Sequence, residues 1–213
     1  MIKLPKKTIV LSLKDQDVEE FLEYLTPRLK GTDYSLTYKD GRIYLTVHGR
    51  SNEIEDLIRF ARKAHGDFMK IHRPIGGVRR YPKEWLVERS RGISISLLVK
   101  ALIARGYLAE LKDDVLVSDV EPNEILNIFG QLREIYWPIR LKIKQRKVRE
   151  ILTIAAFVTK EPILSLLYLA IEKGLIRRTE EGVYLFTIDP ELALDKLIAI
   201  KNHERGRQVW KQN

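Results

Sequence analysis

An α+β fold made of three tandem αββα units is predicted by two features of the 213-residue chain: a short stretch that recurs further on, and a glycine-terminated apolar helix before each copy. Residues 115–125 read VLVSDVEPNEI and residues 183–193 read VYLFTIDPELA, which aligns Val115 with Val183, Val120 with Ile188, Glu121 with Asp189 and Pro122 with Pro190. Upstream, SLLVKALIARG ends at Gly106 and SLLYLAIEKG ends at Gly174. Each glycine sits where a left-handed cap stops a helix. A third, more diverged copy lies near the N-terminus.

Each element follows from local chemistry. Residues 8–13, TIVLSL, form an extra first strand, and residues 18–29 carry Val18, Phe21, Leu22, Leu25 and Leu29 on one helical face. Two alternating strands over residues 34–47 flank Asp40-Gly41, the dipeptide that suits a type I′ hairpin. A helix from Ser51 continues through Ile54, Leu57, Ile58 and Ala61. Strand, helix, strand, strand, helix is the order of a split βαβ fold. In the second and third units the strands are residues 107–111 and 175–178, turning at Asp114 and at Gly182 into the recurring stretch. Glu121 and Asp189 are placed to cap the last helices, with Pro122 and Pro190 at the first helical position. The last unit, with helices over 148–159 and 163–173 and then a hairpin, is winged-helix-like. The resulting organisation is a βαββα unit over 1–70, a basic connector over 71–92, an αββα unit over 93–137, and over 138–213 a second basic connector, the winged-helix-like unit and a basic tail.

The net charge of +9 is segregated along this organisation. Residues 14–66 carry −1, residues 93–136 carry −3 and residues 151–195 carry −3, whereas 1–13 carry +3, 67–92 carry +4, 137–150 carry +5 and 196–213 carry +4. All the excess positive charge flanks or joins the repeats.

Candidate nucleic-acid-binding residues come from those basic segments. The first connector combines Arg73, Arg79, Arg80, Lys83, Arg89 and Arg91 with Tyr81, Trp85 and a flexible Gly76-Gly77. Arginines beside aromatics bind phosphates while bases stack, although Trp85 reads more readily as core. In the second connector, IRLKIK alternates, which sends Arg140, Lys142 and Lys144 to one face of an extended segment; Arg146, Lys147 and Arg149 follow as it passes into a helix. The tail adds Lys201, Arg205, Arg207 and Lys211 beside Trp210.

Other function classes find little support. Without cysteine there is no disulfide, thiol nucleophile or Cys-ligated metal. His48, His65, His72 and His203 are scattered at spacings that suit no metal, and phosphate-loop, dinucleotide and nucleophile-elbow motifs are missing. Asp15, Asp17, Glu19 and Glu20 fall at a helix start, where the helix dipole accounts for them. No window approaches the roughly 18 apolar residues of a membrane span. The N-terminus lacks a signal peptide's apolar stretch, so the cytoplasm is expected. The 31% charged residues and two methionines fit a heat-adapted protein.

Residues 91–116, RGISISLLVKALIARGYLAELKDDVL, have a short basic lead, an apolar helix ending in Arg-Gly-Tyr and a hairpin. The chain resembles, over nearly its whole length, an archaeal family of conserved proteins described only as a domain of unknown function. The resemblance implies an archaeal cytoplasm and brings no catalytic residues.

The expectation is therefore a protein without enzymatic activity, cofactor or metal that binds RNA, most readily as a ribosome-associated factor that restrains a ribosomal subunit. A winged-helix DNA-binding regulator is the alternative, opposed by the scarcity of basic or amide side chains on the helix from Ser165 to Lys173. A protein–protein scaffold, or a homodimer through apolar faces of the repeats, is the third class.

Overall fold

Alternation drives the first sheet. Ile9 and Leu11 on one strand and Ile43, Leu45 and Val47 on another all point into the same core. The computed structural model describes residues 5–210, apart from the side chains of residue 28 and of residues 205–210. Its fold is α+β, with the chain divided into two compact units, Met1–Pro74 and Ile75–Asn213.

The first unit runs β1 (Lys6–Ser12), α1 (Val18–Leu25), β2 (Asp33–Lys39), β3 (Arg42–His48) and α2 (Ser51–His72). The sheet order is β1-β3-β2, with both outer strands antiparallel to β3 and so parallel to one another, as a split βαβ unit requires. Asp40 and Gly41 both take positive φ, which matches the twist of the two strands they join. Phe21 and Leu25 of α1 and Ile54, Ile58, Ala61, Ala64 and Phe68 of α2 cover one sheet face. The helix expected over 18–29 ends at Leu25; a 3-10 turn over Thr26–Leu29 follows. Pro27 explains it, since a proline has no N–H to continue the helix and clashes with the carbonyl four residues back.

The second unit runs β4 (Arg79–Pro82), α3 (Lys83–Ser90), α4 (Ile95–Ala104), β5 (Ala109–Lys112), β6 (Val115–Ser118), α5 (Pro122–Tyr136), α6 (Arg146–Thr159), α7 (Ile163–Glu172), β7 (Ile176–Arg178), β8 (Tyr184–Phe186) and α8 (Pro190–Trp210). The expected helix–strand–strand–helix order thus occurs over α4 to α5 and over α7 to α8. Gly106 and Gly174 both have positive φ after their helices.

Much of the basic stretch read as a connector is not one. Gly76 and Gly77 form a tight turn with φ of 64° and 80°, closed by hydrogen bonds of 3.0 and 3.3 Å between Ile75 and Val78, a conformation in which glycine carries no steric penalty. β4 then joins a sheet of order β4-β6-β5, pairing Arg79 with Ser118 and Pro82 with Val115. Strand, helix, helix, hairpin, with the first strand against the last, is a winged-helix order. It arises at residues 79–118 because β4 supplies the first strand, whereas the last unit, of which the sequence leads one to expect the winged-helix likeness, pairs only β7 with β8 among the described residues.

The second connector is not extended. After α5 the chain makes a further helical turn, in which Lys142 N–H and Ile143 N–H donate to the Ile139 carbonyl at 3.0 and 2.9 Å. Ile139 and Ile143 are both buried and Leu141 is 90% exposed, so the four-residue spacing of the isoleucines, and not the two-residue alternation, sets the backbone. Beyond it, α6 is buried from Ile151 to Phe157 and packs against α4, α5, α7 and α8. No single helix among the described residues is long and apolar enough to cross a membrane.

Candidate nucleic-acid interface

The two basic segments meet at one cleft of the second unit. Lys83 at the start of α3, Arg140 in the turn after α5, and Arg146 and Arg149 at the start of α6 line a space of about 590 Å³ together with Tyr136, Trp137 and Glu150. Four cations thus face one carboxylate. Gly92 closes one wall at φ 90°, and a Cβ there would lie 2.9 Å from the Trp137 ring, so only glycine admits the indole. Trp137 keeps 38% of its surface exposed, and the Arg140 guanidinium lies 5.3 Å from its ring centre.

The cations differ in freedom. Lys83 Nζ donates to Asp114 at 2.6 Å, and that hydrogen bond raises its pKa. Arg146 Nε donates to Glu150 at 2.8 Å, which raises its pKa likewise. Such exposed, solvent-screened pairs contribute little, so a phosphate can replace the carboxylate at little cost. Arg149 is different. It is 8% exposed, its Nη1 donates to the carbonyls of Ile143 and Lys144 at 2.8 and 3.0 Å, and its Nη2 donates to Tyr136 Oη at 3.2 Å. It ties the turn to α6 and is lost as a phosphate ligand, because it is nearly buried and the turn carbonyls and Tyr136 take three of its five donors.

Two further expected contacts are corrected. Tyr81 is fully buried: its hydroxyl donates to the Val120 carbonyl, its ring packs 5.4 Å from that of Trp85, and burial pushes its pKa up. Arg79 is 8% exposed and ion-paired with Glu121. Both alternate with outward residues along β4, which sends Arg79 and Tyr81 inward and Arg80 to solvent. Trp85 is core, with Arg89 over its ring at 4.3 Å.

Of the other expected residues, Arg91, Lys142 and Lys144 are exposed within the second unit, and Arg73 is exposed at the end of α2 in the first. Lys147 is exposed but shares Glu191 with Lys100, an arrangement that links α4, α6 and the start of α8. Lys201 is paired with Glu204 at 2.8 Å. The side chains of Arg205 and Arg207, and all of Lys211, lie outside the described residues.

Tyr136 and Trp137 are the site residues that sequence reasoning missed. The signal was present, since Tyr136-Trp137 immediately precedes the second basic segment just as Tyr81 and Trp85 lie within the first. Among the described residues no group of His, Asp and Glu could hold a metal ion.

Comparison with known proteins supports a single assignment. The chain is 27% identical over 196 residues to the uncharacterized protein MJ0388 of Methanocaldococcus jannaschii, covering 89% of this chain and 92% of that one. No solved structure matches it. A family model matches residues 13–195, and the chain accordingly belongs to the family described as an uncharacterized protein conserved in archaea (DUF2067).

Proposed function

We propose that this protein binds RNA in the cytoplasm, without catalysing a reaction, as a factor that docks on a ribosomal subunit or a comparably stable RNA–protein particle. The observation that supports it is the convergence of Lys83, Arg140 and Arg146, drawn from segments more than fifty residues apart, around the partly exposed Trp137. Cations distributed on rigid elements suit the backbone and shape of folded RNA, while an accessible indole suits an unpaired base. Sedimentation of cell extract through a gradient, before and after nuclease, tests this reading. Co-migration with a subunit that nuclease abolishes is expected; migration at the free protein's position in both gradients counts against it.

The winged-helix order of residues 79–118 favours a second reading, a DNA-binding regulator with α4 as the reading helix. Its surface speaks against base readout. Ser96 and Ile103 are exposed there, and the one basic residue, Lys100, is held by Glu191. On α7 the exposed residues include Ser165 and Tyr168. Reading a base edge in the major groove calls for arginine, lysine or an amide side chain. A preference for duplex DNA over RNA of equal length would reverse the order of the two readings. Association of two copies through the exposed Ile103 and Tyr168 remains the scaffold alternative, and equilibrium sedimentation separates it from both.

A further inference from the structure

We infer that the open face of the β1-β3-β2 sheet in the first unit is a second RNA surface, one that takes single-stranded bases on Tyr44. The inference rests on the RNA-binding reading but on different residues. Both helices of the unit cover the opposite face of the sheet, so each outward-pointing residue of the three strands is exposed or half-exposed.

The register fixes what this face presents. Tyr44 stands on the central strand, directly between Val10 of β1 and Thr37 of β2. Val10 is 49% exposed and Thr37 is exposed, so neither walls in the ring. In the next row Thr8 and Thr46 lie flat, joined by a hydroxyl hydrogen bond of 2.8 Å. An aromatic ring on a strand, level with short neighbours, is a surface on which any base can stack.

On the other side of the ring, Arg42 and Lys39 stand opposite one another across β3 and β2. They are two positions along from Tyr44 and Thr37, about 7 Å away, within reach of the phosphate of a stacked nucleotide. Lys6 stands at the far end of β1, beside His48, with Asp33 as the single carboxylate of the face. Three fixed cations against one anion, arranged around an aromatic, complement a flexible polyanion with exposed bases. A second copy of this face would bring like charges together, which disfavours self-association through it.

The experiment uses the full chain, a fluorescent uridine decamer as the single-stranded probe and an RNA hairpin as the structured one. Tyr44→Thr keeps a strand-favouring residue at the position and removes the π-face; Tyr44→Phe keeps both. The decamer is expected to bind wild type and Tyr44→Phe alike and Tyr44→Thr about tenfold more weakly. The double variant Lys39→Ala, Arg42→Ala is expected to flatten the salt dependence of decamer binding, and a 4-thiouridine decamer to cross-link at Tyr44. Decamer affinity unchanged in Tyr44→Thr, or a change in oligomeric state in that variant, overturns the inference. Hairpin binding that falls in Arg140→Ala, Arg146→Ala while the decamer is not bound at all overturns it too and leaves the cleft standing. Loss confined to the sheet variants supports the sheet and removes the cleft, and a wild-type protein that binds neither probe defeats both.

Discussion

Arg79 of β4 and Glu121, the residue before α5, form an ion pair that closes the sheet onto the helix leaving it. The guanidinium side chain is nearly buried and the carboxylate two-thirds exposed. Removing the carboxylate leaves a buried cation with one partner fewer. Glu121→Gln is therefore expected to lower stability by about 1–2 kcal/mol, less than for a fully buried pair because water reaches the carboxylate. Chemical denaturation checks this. RNA affinity should be unchanged, and an unaltered midpoint would show that the pair contributes nothing.

Asp189 occupies the matching place in the third repeat and does a different job. Its Oδ1 accepts from the N–H groups of Glu191 and Leu192 at 2.9 and 3.2 Å, so it caps α8 as expected, whereas Glu121 makes no such bond at α5. Asp189→Ala is expected to cost about 1 kcal/mol and Asp189→Asn much less, because the amide oxygen still accepts. Thermal melting of the two variants distinguishes a cap from a charge effect, which would make them alike.

Glu191 adds a pH dependence of known sign. Hydrogen bonds from Lys100 and then Lys147 hold its carboxyl below its ordinary value, against the opposing effect of burial. A carboxylate whose folded pKa is depressed contributes stability above its unfolded pKa of about 4.3, and this is lost as pH falls through the folded value. With the side chain half-exposed the contribution stays below about 1 kcal/mol. Melting temperature should thus fall on acidification below the ordinary carboxylate range, and Glu191→Gln should show a shallower fall. Parallel acid limbs in the two proteins would remove Glu191 from the account.

Cleft binding should be steeply salt-dependent, because each neutralised phosphate releases counterions. Each lost phosphate contact flattens the log–log slope by about 0.7–0.9. Arg140→Ala and Arg146→Ala are each expected to do so, as is Lys83→Ala, while Arg149→Ala should act first on stability because its donors hold the turn. Titrations over a salt series read the slopes. Wild-type slopes in all three surface variants would empty the cleft of its role.

What sequence alone determined here is local. The Asp40-Gly41 hairpin, the glycines ending α4 and α7, the cap at Asp189 and the helix–strand–strand–helix order depend on residues close in the chain, whose conformational preferences act before any core exists. Tertiary structure decided which of the basic residues face water. Arg79 and Tyr81 turned inward because β4 pairs with β6, and Arg149 because the Ile139–Ile143 turn ends beside it. Both pairings depend on partners five to forty-two positions away, and charge counts along a chain do not register them. The same holds for the cleft: Lys83 and Arg140 became neighbours only when α3 and the end of α5 packed around Gly92 and Trp137, and the hydrophobic core that places those elements is a property of the whole unit.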